Sequence, residues 1–171
     1  MSKRKRRRRR KRRGMSKTVY ANLDQPLQLF NSIEAALRYH PDTTGKDWHK
    51  FDSEMEAQRY QHLWACQQEG QIGDLKAHPA TFVINDRITL KPNAIRPKTR
   101  YKQKRVYTPD FFYIYQGVSV YEDFKGSKRQ KGYARASLAH SFFIASLLEH
   151  MPSEAFHFKV VTNIHADPSE E

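Results

Sequence analysis

Between Arg105 and Phe124 the chain carries a pattern that a β-hairpin satisfies. Arg105 to Tyr115 is rich in aromatic and β-branched residues, Val118 to Phe124 repeats that character, and Gln116-Gly117 between them is a two-residue turn signal. Alternation along the second strand places Tyr121, Asp123 and Lys125 on one face and Val118, Val120, Glu122 and Phe124 on the other. Around this hairpin the remaining segments take assignable forms. Residues 53–69 read as a helix capped by Asp52 or Ser53, with Gly70 and Gly73 after it. Thr81 to Ile84 and Arg87 to Leu90 read as strands about an Asn85-Asp86 turn. Lys91 to Lys104 is a Pro-containing basic loop, residues 131–149 a second helix, and Phe156 to Thr162 a last strand. The order α-β-β-β-β-α-β predicts an α/β domain, a mixed β-sheet flanked by helices.

Charge divides the chain. The net charge is +13, and 11 of the 31 Lys and Arg fall within the first 13 residues. The other 158 residues hold 20 basic and 18 acidic groups, so the body is close to neutral and a histone-like protein is excluded. Residues 1–14 form a self-repelling basic arm expected to be disordered. Three readings of it stay open: a sequence-blind grip on phosphates, a nuclear address in a eukaryotic host, or a stretch upstream of a true start at Met15. Residues 15–47 read as an extension with one short helix, Ser32 to Tyr39, ended by a turn at Pro41-Asp42. Residues 48–163 make the main domain and 164–171 an acidic C-terminal tail. A single cysteine, Cys66, rules out an internal disulfide and a finger-type zinc site. It is expected off the buried face of its helix. The apolar stretch Phe142 to Leu148 is far short of the ~20 residues a membrane span needs, so no membrane partner and a soluble, intracellular protein are expected.

Candidate chemistry begins with a carboxylate on the wrong side of a helix. At 100° per residue, Glu56 shares a face with Ala57, Tyr60, Leu63 and Trp64, which points it at the core or a cleft in it. A buried carboxylate needs a partner or a metal; a plain salt bridge, or a helix end protruding past the core, is the competing account. Asp110 follows Pro109 at a strand start among aromatics, and Asp123 and Lys125 lie two apart on one face of the partner strand. Two carboxylates can hold a hard cation such as Mg²⁺, and a lysine beside them can orient water and neutralise developing phosphate charge. The look-alikes Pro41-Asp42 and Asp74-Leu-Lys76 lie outside aromatic or β-branched strands and are assigned to turns.

Pro109-Asp110, twelve residues, then Asp123-Phe124-Lys125 resembles the PD-(D/E)xK nuclease superfamily. Phe51-Asp-Ser53-Glu-Met-Glu56-Ala57-Gln-Arg59-Tyr60, Gly70-Gln-Ile-Gly-Asp74-Leu75, Tyr107-Thr-Pro-Asp-Phe111 and Glu122-Asp-Phe-Lys-Gly126 resemble, more narrowly, a family of small phage- and prophage-associated nucleases. That family was long catalogued as a domain of unknown function. The resemblance spans roughly residues 50 to 163. It implies a restriction-endonuclease-like core and a Mg²⁺- or Mn²⁺-dependent endodeoxyribonuclease in the cytoplasm of a bacterial host. Its metal ligands would be Glu56, Asp110, Asp123 and the backbone carbonyl of Phe124, with Lys125 catalytic. His78 stands where the family pattern has Gln before a proline, and the basic loop is long.

DNA is the expected partner. Arg96, Lys98, Arg100, Lys102 and Lys104 in the loop, and Lys128, Arg129 and Lys131 after Lys125, are placed to contact phosphates, which positions a duplex without reading it. Cleavage guided by DNA branches or ends is the expectation for a core without a base-reading module, and a homodimer stays open. The histidines, His78 and His140 among them, show no metal-ligand spacing and read as structural. Two rival readings remain: a nuclease-like scaffold that binds nucleic acid without cutting, and an RNA-directed protein dominated by its arm.

Overall fold

The computed structural model describes residues 18–85, 105–125, 133–149 and 155–169. The chain forms two compact units, the first ending at Glu54 and the second beginning at Met55.

In the first unit, β1 (Val19–Asn22) pairs antiparallel with β2 (Trp48–Phe51), with Val19 opposite Phe51. Between them lies α1 (Ile33–Tyr39), capped by Ser32, whose hydroxyl accepts from the Ala35 N–H at 3.2 Å. Pro41 and Asp42 form the expected turn. The first unit therefore holds two strands besides the expected helix, and β2 lies past residue 47, where the extension was expected to end. Each strand is four residues long, too short to show a clear period.

The second unit is mixed α/β. It opens with α2 (Glu54–Gln68) and continues through β3 (Gly73–Ala77), β4 (Phe82–Asn85), β5 (Arg105–Tyr107), β6 (Phe111–Tyr115) and β7 (Val118–Phe124). It closes with α3 (Tyr133–Leu148) and β8 (Phe156–Val161). One four-stranded sheet runs β3-β6-β7-β8, antiparallel except for the parallel β7–β8 pair, and β4 and β5 form a separate two-stranded ribbon. The β6–β7 hairpin has the expected register, with Phe111 opposite Glu122 and Tyr115 opposite Val118. Its turn residues Gln116 and Gly117 sit at φ +49° and +82°, the left-handed pair that a tight right-twisted hairpin requires.

Three expectations need correction. The stretch from Arg105 to Tyr115 is two strands in two different sheets, broken at Thr108-Pro109-Asp110. Proline cannot donate to a ladder, and the chain changes partners there. Asp74-Leu-Lys76 is not a turn but part of β3, the sheet's edge, which pairs with β6 across an irregularity between Gly73 and Lys76. Asp74 lies at φ +53° in that irregularity; Asp74 to Ala77 does alternate polar and apolar, but the segment holds no β-branched or aromatic residue to mark it as a strand. Finally, Asn85, expected in a turn, is the last residue of β4 and pairs with Arg105 of β5; Arg87–Leu90 lies outside the described residues.

The helices cover opposite faces. Strand alternation sends Glu122 towards α2, where it meets Arg59, and Tyr121 towards α3, where its ring lies 5.5 Å from that of Phe143. On the α3 side, Phe143, Leu147 and Phe156 are buried, with Phe82, Tyr107, Tyr121 and Phe158 packed against them. Leu148 is half exposed, since it lies 100° round from Leu147. The side chain of Phe142 lies outside the described residues.

On the α2 side, Arg59 and Glu122 are fully buried and joined twice, Nε to Oε1 at 2.8 Å and Nη2 to Oε2 at 2.9 Å. Tyr113 donates to the same carboxylate, and Arg59 Nη1 donates to the carbonyls of Ile164 and Ala166. Burial pulls the Arg59 pKa down, and Glu122 more than restores it. This network fastens residues 164–166 onto α2. That cover also explains why Cys66 is buried rather than lying off the core face: α2 buries a wider arc, from Glu56 to Cys66, than one apolar stripe would. Among the described residues, no helix is long and apolar enough to cross a membrane.

Candidate metal centre

The site forms where several elements end at the same edge of the sheet. β3 and β6 run antiparallel with Ala77 opposite Phe111, so the residue after β3 and the residue before β6 become neighbours. These are His78 and Asp110, and the His78 N–H donates to the Asp110 carbonyl at 2.8 Å. β7 runs antiparallel to β6 on its other side and brings its C-terminal end, Asp123-Phe124-Lys125, to the same place. The Phe124 N–H donates to Asp110 Oδ2 at 2.7 Å. Glu56, in the first turn of α2, completes the group.

Ligand atoms of Glu56, His78 and Asp110 all lie within 4.8 Å of one another. Glu56 is buried, and its Oε1 is 2.8 Å from His78 Nε2. The side chains of His78 and Asp110 retain 28% and 19% exposure, so the cluster is open to an arriving ion. Two ionised carboxylates within 4.8 Å of each other repel by roughly 3 kcal/mol or more at an effective dielectric near 20. Asp110 is the carboxylate that this setting perturbs, and Glu56 is not the main cause. Burial first, and then the charge of Asp123, push its carboxyl up to about 7.

Asp123 has a different environment. Its Oδ1 accepts from the Tyr107 hydroxyl at 3.0 Å, and its Oδ2 lies 2.6 Å from Lys125 Nζ and 3.0 Å from His140 Nε2. Burial works to raise its pKa, but the bonds from His140 and Lys125 overcome this and hold it below the usual carboxylate value. Burial likewise pulls Lys125 down, and Asp110 and Asp123 outweigh it, so the ammonium stays charged. Lys125 is 3.9 Å from Asp110 and bridges the two aspartates.

The expected residues Glu56, Asp110, Asp123 and Lys125 thus converge. Among the described residues, the compact ligand cluster joins Glu56 and Asp110 with His78, while both oxygens of Asp123 are engaged by Tyr107, His140 and Lys125. Phe124 contributes its N–H to Asp110. Arg96, Lys98, Arg100, Lys102, Lys104, Lys128, Arg129 and Lys131, together with the basic arm, lie outside the described residues.

Three participants escaped the sequence reading: His78, His140 and Tyr107. His140 carried a usable signal. It lies three and seven residues before the buried Phe143 and Leu147, a polar group on the apolar face of α3, and the same argument singled out Glu56. His78 carried none, because its strand was not legible. Its backbone, at φ +45°, adopts a conformation uncommon outside glycine.

The donor set suits a divalent cation: two carboxylates and an imidazole within one ion's reach, partly open to water, with a charged lysine beside them.

The chain belongs to the DUF1064 family, described as a protein of unknown function, whose sequence profile matches residues 37–147. No curated protein and no solved structure matches it.

Proposed function

We propose that this chain is a Mg²⁺- or Mn²⁺-dependent endodeoxyribonuclease on a restriction-endonuclease-like core, acting on branched or otherwise structured DNA. The observation that carries the reading is the juxtaposition at one sheet edge of the Glu56–His78–Asp110 cluster with the Lys125–Asp123 pair. A cation bound there supplies Lewis acidity at a phosphodiester and lowers the pKa of water. Glu56, His78 and Asp110 would hold it, with the Phe124 carbonyl and Asp123 next in line by the resemblance of their motif to PD-(D/E)xK nucleases. The chain's own residues do the rest. Asp110 is oriented by the Phe124 N–H, so its carboxylate is presented without a search through rotamers. Lys125, held charged by two aspartates, is an electrostatic partner for the phosphate rather than a proton acceptor. Tyr107 and His140 fix Asp123, and through it the lysine. A cluster of like charges is costly to keep in a fold that only binds, and this favours the enzyme over a non-cutting scaffold.

The test is cleavage of end-labelled linear, single-stranded and four-way-branched DNA, with and without Mg²⁺ or Mn²⁺, by wild type and Asp110→Asn. Metal-dependent cutting that disappears in the variant supports the reading, and preference for the branched substrate supports the resolvase-like form of it. Equal DNA binding by both proteins with no cutting would replace it with the scaffold.

A further inference from the structure

An imidazole in the ligand cluster bears on which ion the site takes. Resting on the metal-dependent reading above, we propose that His78 is a direct nitrogen ligand that makes this centre select Mn²⁺ and other borderline divalent ions over Mg²⁺. Mg²⁺ requires near-ideal octahedral geometry and takes oxygen ligands and water, whereas imidazole suits later first-row metals. A cluster of carboxylates alone would leave that choice open; one nitrogen among three donors does not.

The geometry commits His78 to the cluster in two ways. Its Nε2 is 2.8 Å from Glu56 Oε1 and shares the 4.8 Å cluster with Asp110. Its main chain is tied to the same aspartate, N–H to carbonyl at 2.8 Å, directly beyond the Ala77–Phe111 pair of the ladder. The imidazole is therefore carried to Asp110 by the sheet itself. The left-handed φ of +45° that aims it there costs about 1–2 kcal/mol relative to an ordinary extended residue. Binding would require the tautomer that leaves Nε2 its lone pair, in place of the one that donates to Glu56. His140, the other histidine at this edge, is buried against Asp123 and Tyr107 and does not join the ligand cluster.

The experiment uses the full chain and the ion alone, without DNA. Mn²⁺ is titrated by electron paramagnetic resonance, Mg²⁺ is measured by competition, and electron spin-echo modulation reports whether nitrogen is bound to the manganese. Wild type is expected to bind Mn²⁺ about tenfold or more tighter than Mg²⁺ and to show nitrogen modulation, which changes to the ¹⁵N pattern when only histidine is ¹⁵N-labelled. His78→Gln, similar in size and offering oxygen, is expected to lose the modulation and bring the two ions within about threefold. The wild-type spectrum can overturn the assignment even if the variant does not fold. Bound Mn²⁺ without nitrogen modulation overturns the assignment of His78 and leaves the nuclease reading standing. A protein that binds neither ion overturns both.

Discussion

Replacing Asp110 by Asn should stabilise the metal-free protein while abolishing its metal response. The amide oxygen introduced by Asp110→Asn can still accept the Phe124 N–H, which lies 2.7 Å from the carboxylate, so the change removes charge and little else. Asp110 is pushed up to about 7 in the folded chain from a usual value of 3.8. Because the folded pKa is the higher one, the folded state binds more protons between these values, and stability falls as pH rises through the window. The cost of ionising Asp110 in the fold is ~1.5 kcal/mol at pH 5 and ~4 kcal/mol at pH 8, an upper figure given the water at the mouth of the site. The assay is thermal and urea unfolding of wild type and Asp110→Asn in EDTA at pH 5 and pH 8. The variant should be more stable at pH 8 by a few kcal/mol, or roughly 5–10 °C in Tm for a chain of this length. The advantage should shrink by about half or more at pH 5. Adding Mn²⁺ at about a hundred times its Kd should then raise wild type by roughly 2.7 kcal/mol and leave the variant unmoved. A variant no more stable than wild type at pH 8, or a gap independent of pH, would refute the claim that burial and the charge of Asp123 make an ionised Asp110 costly in the fold.

Other consequences can be checked separately. Glu122→Ala leaves the fully buried Arg59 guanidinium without its carboxylate and should cost about 3–5 kcal/mol in urea unfolding; a loss under about 1 kcal/mol would mean the network is dispensable. His140→Ala releases one of the three donors that fix Asp123, and cleavage should slow roughly 10- to 100-fold. Circular dichroism and Tm would show whether the fold survives that change, and an unaltered rate would deny His140 a positioning role. Deleting residues 1–14, which hold 11 cationic side chains, should weaken DNA binding and flatten its salt dependence while sparing cleavage at low salt. Loss of cleavage under those conditions would contradict that division of labour.

The β6–β7 hairpin was legible because its two strands are rich in aromatic and β-branched residues and its turn residues belong to one turn type. Glu56 was legible because a helix's period exposes any charge that falls on the apolar side. β3 was not: its five residues, two of them exposed and none β-branched or aromatic, take their conformation from pairing with β6 at the sheet's edge. The split between β5 and β6 was hidden for a related reason. Pro109 marks a break, but only the two different partners of the flanking segments make it one.

What local order determines here is therefore the composition of the site's best-aimed members: Asp110 and Asp123 at the same end of a hairpin, Lys125 two residues on, and Glu56 on the wrong face of α2. These follow from periods of two and 3.6 residues, which are properties of a single element. Tertiary structure alone decided the company they keep. His78 reaches Asp110 and Glu56 because an edge strand adds to β6 in one register, and His140 and Tyr107 reach Asp123 because α3 and the β4–β5 ribbon pack on that face of the sheet. The contacts of Tyr107 and His140 with Asp123, and of His78 with Glu56, join residues 16, 17 and 22 positions apart. They depend on which surfaces find each other when the core closes. No repeat in the chain encodes them, so they become visible only in the folded protein.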